Sequence, residues 1–201
     1  MSISYKVAIL IDGGFFISRF KKLHQGSAPI ITDMQPFIEE LMTKVQALTG
    51  NKGTDILFRT FYYDCRPYGE TQTDPNGFHI NYSQQPLFRA ATRFQSDLRT
   101  FPQLALRLGE LSFDGWKIDA SSSTLAYKPD FKQKSVDMKI GLDIAWLSSR
   151  RIVDKIVLVA GDSDFIAPMK FARREGILVY LHTMGQVQIK IELKEHSDFI
   201  V

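Results

Sequence analysis

The chain has 201 residues, 44% of them hydrophobic and 23% charged, the balance of a folded globular protein and not of a disordered one. Its net charge of +3 is too mild to argue for nucleic acid by itself. No apolar run approaches the ~20 residues of a membrane-crossing helix, and a single cysteine, Cys65, excludes an internal disulfide or a cysteine-based zinc site. A first segment without a signal-peptide pattern and one free thiol together lead us to expect a cytoplasmic protein with no membrane partner.

Tyr5 to Ile11, YKVAILI, is an apolar run stopped by Asp12-Gly13-Gly14, the pattern of a strand buried on both faces. Asp33 to Thr49 repeats apolar residues at three and four and reads as a helix, with Pro36 in its first turn. Asp55 to Tyr63 is the second strand. Residues 64–86 carry Pro67, Gly69, Pro75, Asn76-Gly77 and Pro86, which predicts a long loop or insertion with a small hairpin at Asn76-Gly77. Leu87 to Leu111 reads as a helix interrupted before Pro102. Phe113 to Ala120 and Thr124 to Tyr127 read as two strands.

Ser135 to Ser149 is a helix with two apolar stripes, one through Val136, Ile140, Ile144 and Leu147 and one through Met138, Leu142 and Trp146. Two stripes predict a largely buried helix. Ile156 to Ala160 is a strand, Ser163 to Glu175 a helix ended by Gly176, and Ile177 to His182 a strand. Val187 to Lys194 is a short helix, and Phe199 to Val201 a terminal strand. Strands alternate with helices, with no repeat or linker between them. The expected architecture is a three-layer α/β/α Rossmann-like sandwich on a mostly parallel sheet, as one domain over residues 1–201.

Ligands of such sheets bind beyond the carboxyl ends of the strands. Asp12 follows the first strand, and Asp162 and Asp164 follow the strand at Ile156 to Ala160. Asp137 lies at the start of the helix Ser135 to Ser149, beside Gly141 and Ser148 on the wheel. Each aspartate alone is an ordinary helix cap. Caps do not explain two carboxylates crowded into Gly161-Asp162-Ser163-Asp164, where uncompensated charges repel. Four carboxylates without matched Cys or His suit a hard cation, Mg²⁺ or Mn²⁺. Such an ion supports phosphodiester hydrolysis. Lys128, Lys132 and Lys134 lie just upstream of Asp137 and could hold flanking phosphates. Arg89 and Arg93, with Arg99 and Arg107, form a second basic segment that could bind RNA, a partner or water. Asp143 reads as a structural acid paired with Lys139 or a backbone donor, and otherwise as a secondary metal contact.

The stretches VAILIDGG, KSVDMKIGLDIAWL, IVLVAGDSDFIAPMKFARREG and ELKEHSDFI resemble the NYN domain family of PIN-like ribonucleases, more closely its bacterial LabA-like branch. The resemblance runs from about Tyr5 to Val201 and is weakest over 64–112. It implies a Rossmann-like sandwich, an acidic pocket of Asp12, Asp137, Asp162 and Asp164 holding Mg²⁺ or Mn²⁺, and endoribonuclease activity; Ser163, in the same turn, is a further candidate substrate contact. Many members carry an asparagine in D-G-x-N, where this chain has Phe15. Phe15 or Phe16 is expected to pack in the core or to stack a base at the pocket mouth.

Three functions compete. The first is a metal-dependent endoribonuclease with RNA as substrate and DNA not excluded. The second is a non-catalytic RNA-binding or regulatory module on the same fold. The third, a haloacid-dehalogenase type of phosphatase, lacks its second carboxylate, since D-G-G-F-F stands where D-x-D-x-T is required. An exposed edge strand offers a route to a homodimer.

Overall fold

The structure is a computed structural model that describes residues 3–49, 53–118 and 126–201. Nine strands and six helices are described, in the order β1 (Ser4–Asp12), α1 (Gly13–Leu23), α2 (Met34–Thr49), β2 (Thr54–Cys65), β3 (Thr71–Thr73), β4 (His79–Asn81), α3 (Pro86–Arg99), β5 (Leu104–Ile118), β6 (Tyr127–Lys134), α4 (Val136–Ser149), β7 (Lys155–Val159), α5 (Ile166–Arg174), β8 (Leu178–His182), α6 (Ile191–Glu195) and β9 (Phe199–Ile200). Seven strands form one sheet in the order β6-β5-β2-β1-β7-β8-β9. All neighbours run parallel except β6, which is antiparallel to β5.

Side-chain alternation along β1 shows why both faces are covered. Val7, Ile9 and Ile11 join Phe16, Phe20, Met34, Ile38 and Leu41 in one core beneath α1, α2 and α3. Ala8 and Leu10 join Val136, Ile140, Ile144, Met169 and Leu193 in the other, beneath α4, α5 and α6. A strand with hydrophobic partners on both sides reads as a continuous apolar run, and that is how Tyr5 to Ile11 reads. The three-layer α/β/α sandwich with a mostly parallel sheet is therefore present.

The chain leaves β1 for β2 and β5 on one side, then returns to lay β7, β8 and β9 on the other. This creates a topological switch point between β1 and β7. At such a point the loops after the two strands turn to opposite faces and open a crevice.

Several expectations are corrected. The helix read at Leu87 to Leu111 ends at Arg99, and Leu104 to Ile118 is one long strand. Pro102 breaks the helix. Leu104, Leu106 and Leu108 then alternate with Ala105, Arg107 and Gly109 and pair with Thr60 to Cys65 of β2. The separate strand at Phe113 to Ala120 is the outer half of β5, and its last two residues lie outside the described ones. Thr124 and Leu125 also lie outside them; β6 starts at Tyr127 and extends through the basic stretch to Lys134.

In α4 only the first stripe is buried. Met138, Leu142 and Trp146 are exposed, at 67%, 62% and 47%. A helix on the outer layer has one neighbour side, so its second stripe faces solvent. The last helix is shorter than expected, Ile191–Glu195. The hairpin at Asn76-Gly77 is present as β3 paired with β4, and it packs on the β5–β6 arm. There Tyr68, Tyr82, Phe113 and Phe131 form a small aromatic cluster, and Trp116 donates to the Thr73 carbonyl at 3.0 Å. No described helix is long and apolar enough to cross a membrane.

Candidate functional site

Asp12 closes β1 and caps α1. Its Oδ1 accepts from the Phe15 N–H at 3.2 Å. Gly13 is required at the start of α1, because a Cβ there would lie 2.5 Å from the Tyr63 carbonyl and 2.8 Å from the Tyr62 ring. That close approach seats α1 directly on β2. Burial pushes the Asp12 carboxyl up to about 6, against the Phe15 hydrogen bond, and the Asp137 and Asp64 carboxylates push it the same way.

Asp64 was missed in the sequence, where it reads as the first loop residue. It is the penultimate residue of β2, and its carboxylate accepts from the Cys65 N–H at 2.7 Å and from Gln95 Nε2 at 2.9 Å. Burial holds it above the usual carboxylate range. The signal that could have found it is the rule that found Asp12: the first carboxylate after an apolar strand run. Between them lies the Tyr62 hydroxyl, buried and without a hydrogen-bond partner. Burial and the Asp64 and Asp12 charges keep it protonated.

Asp137 reaches the same edge by another route. Gly109 of β5 pairs with Cys65, and Glu110 pairs with Lys134 at the end of β6. The chain therefore enters α4 at the level of Asp64. Ser135 makes the turn with φ 69°, a left-handed conformation uncommon outside glycine. Asp137 sits in the first turn of α4 and is exposed. Ser148, three turns along the same side of α4, is fully buried, whereas Asp137 is exposed. Asp137 is open because it lies at the helix start. Partial desolvation raises its carboxyl, and the Asp162 and Asp164 carboxylates raise it further.

Asp162 and Asp164 follow β7 in a 3₁₀ turn, Ser163–Phe165. Asp162 Oδ1 accepts from the Asp164 N–H at 3.2 Å, so the capping role and the clustering coexist. The helix read from Ser163 begins only at Ile166, after this turn. Ser163 Oγ accepts from Lys190 Nζ at 2.7 Å. Asp12, Phe15, Gly161, Asp162, Ser163, Gln186 and Lys190 line one cleft of about 480 Å³. Lys190 and Gln186 come from the loop after β8, and nothing local in the sequence marks them.

The Asp137 charge acts on Asp12, and the Asp162 and Asp164 charges act on Asp137. Among the described residues, no three Asp, Glu, His or Cys side chains form a group that could hold a metal between them. The donor chemistry still fits a hard ion. Mg²⁺ commonly takes one or two carboxylates and fills its remaining positions with water and phosphate. Burial is the main reason that Asp12 and Asp137 are raised, and a cation would also offset the smaller contribution of their carboxylate neighbours.

Other predicted residues fall further out. Lys128, Lys132 and Lys134 lie along edge strand β6. Lys132 is paired with Asp114, so one of the three lysines is neutralised, while Asp130 of the same strand pairs with Lys117 of β5 at 2.7 Å. Arg89 and Arg93 are exposed one turn apart on α3, whose inner face delivers Gln95 to Asp64 and to the Cys65 carbonyl. Asp143 does not pair with Lys139. It accepts from the Tyr63 hydroxyl at 2.8 Å and from Arg107 Nε at 3.2 Å, because β2 and β5 lie under the face of α4 that carries it. Arg107 is thereby committed to an intramolecular pair. Phe16 is fully buried, whereas Phe15 is half-buried and lines the cleft.

A parallel sheet between two helical layers, with carboxylates gathered at its switch point, is the arrangement of a PIN-like fold. The NYN domain family model matches residues 6–201, and the chain belongs to that family. A crystal structure of a protein of unknown function from Vibrio parahaemolyticus has the same fold, with a TM-score of 0.51 at 15% identity, covering 98% of this chain and 91% of that one. No curated protein matches the chain.

Proposed function

We propose that this protein is a metal-dependent endoribonuclease that hydrolyses RNA phosphodiester bonds at the crevice between β1 and β7. The observation that carries this reading is the placing of Asp12, Asp137, Asp162 and Asp164, from three separate parts of the chain, near enough that Asp137 acts on Asp12 and that Asp162 and Asp164 act on Asp137. Repulsion of that kind is a cost to the empty fold that a bound cation relieves. One or two of these carboxylates, foremost Asp12 and Asp162 in the cleft, would hold Mg²⁺ or Mn²⁺, with water and phosphate in the remaining positions. Once bound, the ion activates a water and offsets the charge that grows on the leaving oxygen.

Asp64, fixed by Gln95 and the Cys65 N–H, adds negative potential behind Asp12. Lys190, steadied by Ser163, stands ready for a phosphate oxygen. The unpaired Arg89 and Arg93 and the Lys128 to Lys134 strand supply positive charge for flanking phosphates, more weakly where lysines are already paired. The single buried cysteine fits a cytoplasmic setting. Its thiol is pushed up to about 11 by burial and donates to the Glu110 carbonyl at 3.1 Å, so it is not a nucleophile.

Two observations favour a second reading, a non-catalytic RNA-binding module: among the described residues no three carboxylates group for a metal, and Phe15 stands where many family members carry an asparagine. A pooled RNA and DNA panel with Mg²⁺, Mn²⁺ or chelator separates the two. Divalent-dependent cleavage of RNA, lost in Asp137→Asn and in Asp162→Asn at unchanged melting temperature, is the expected result. Binding without cleavage under every ion supports the module.

A further inference from the structure

The wall of the cleft formed by α1 and the loop after β8 is not acidic. Phe15 packs on its inner side against the core beneath α1 and α2, and its ring edge rests on bare backbone. A Cβ at Gly161 would lie 2.5 Å from Phe15 Cε2. The ring is therefore held in place, half-exposed toward the cleft. Gln186 Nε2 donates to the Gln188 carbonyl at 2.8 Å. A carbonyl can only accept, so this bond fixes the amide orientation and leaves Oε1 as a free-standing acceptor. Oε1 lies 3.1 Å from that same Cβ position at Gly161, on the side of the Phe15 ring. Lys190 commits one ammonium proton to Ser163 and keeps two. An aromatic face, an oriented acceptor and a cation thus border one space of about 480 Å³, within the range of small-ligand sites.

We propose that this wall is a single-nucleotide subsite. The base stacks on Phe15, its exocyclic amino group donates to Gln186 Oε1, and its phosphate pairs with Lys190. The proposal rests on the nuclease reading and adds a base preference to it. Adenine, cytosine and guanine each carry an exocyclic amino group, whereas uracil flanks its one ring N–H with two carbonyls that face the acceptor unfavourably. Stacking tolerates every base, so the discrimination comes from Gln186.

The test is calorimetric titration of the intact protein with the four nucleoside monophosphates and their nucleosides, with Mg²⁺ and again with chelator. Adenosine, cytidine and guanosine monophosphates are expected to bind more tightly than uridine monophosphate. Phe15→Leu, which keeps the core contact, should weaken all four about tenfold, the low end of base–aromatic stacking, and Phe15→Tyr should restore binding. Gln186→Leu should level the four affinities, and Lys190→Ala should erase the advantage of nucleotide over nucleoside. Absence of nucleotide binding, or binding unchanged in Phe15→Leu and Lys190→Ala, overturns the subsite. The RNA panel is scored separately. Cleavage with unchanged titrations discards the subsite alone; nucleotide binding without cleavage by any divalent ion discards the nuclease reading and leaves the subsite standing.

Discussion

At the amino-terminal edge of the sheet, Asp55 of β2 and Lys155 of β7 meet at 2.6 Å with side chains 0% and 2% exposed. The Lys155 ammonium also lies 4.7 Å from the Tyr5 ring centroid and 5.8 Å from that of Tyr180. At the carboxyl-terminal edge, Asp12 and Asp64 are partly buried, and the charges acting on Asp12 are those of the Asp137 and Asp64 carboxylates. The cation of that cleft, Lys190, is bonded to a serine. One sheet thus carries buried charge in two ways. Where the role is structural, the carboxylate has its counter-ion in the fold. Where the chain gathers acids without one, a partner from outside is expected.

The sharpest way to break this contrast is to make the structural end resemble the functional one. Lys155→Ala removes the cationic partner of the buried Asp55 carboxylate, which should cost about 3–5 kcal/mol in urea unfolding. Replacing both partners by apolar residues of similar volume should recover most of that loss. Cleavage by whatever folds should be unchanged. A loss near zero for the single change would mean that the pair is not the counterpart of the acidic cleft.

Asp12→Asn works from the other end. Folding raises the Asp12 carboxyl from 3.8 to about 6. The folded state therefore keeps a proton that the unfolded chain releases. The stability this provides is fully present below about pH 4 and is lost as pH rises through about 6. Asn keeps the oxygen that caps Phe15 but does not ionise. Without metal, the variant should gain on the wild type across that window by up to about 3 kcal/mol and then stay level. Added Mg²⁺ should close the gap by stabilising the wild type alone. A constant difference at all pH values would show that Asp12 is an ordinary cap.

The smallest effect separates the two roles of Asp162. Asp162→Ala removes the acceptor for the Asp164 N–H and should lower metal-free stability by about 1 kcal/mol. Asp162→Asn keeps an acceptor while relieving repulsion of Asp137, and should be neutral or slightly stabilising. Equal losses in both variants would assign Asp162 to capping alone. Thermal melts with chelator measure the difference.

The fold was legible where local pattern and tertiary setting agree. β1, β2 and α4 announce themselves through apolar runs or periodicity bounded by Asp12-Gly13, by the loop at 64–86 and by Ser135. β5 was not legible, because Leu104, Leu106 and Leu108 follow an amphipathic helix at short distance and alternate with Arg107 and Gly109 in a way that short windows leave ambiguous. Only pairing with β2 decides it. The second stripe of α4 was misjudged for a related reason: periodicity shows that a face is apolar, not whether a neighbour covers it. Asp12, Asp137, Asp162 and Asp164 stand out because they interrupt or border strong elements. Asp64 could have been found by the same rule, whereas Lys190 and Gln186 sit in a loop with no local mark.

By itself the sequence determined the alternation of strands and helices, the positions of four strand-end or helix-start acids, and membership of one family. These depend on burial and backbone propensity within a few residues of each position. Tertiary structure alone decided that β7 returns beside β1, and this places the GDSD turn next to Asp12. It also decided that β6 runs antiparallel and delivers Asp137 to the same edge, and that the loop after β8 brings Lys190 to Ser163. Each of these is a meeting of residues far apart in the chain, fixed by which strand edges pair and which apolar faces must be covered, and no local pattern encodes it.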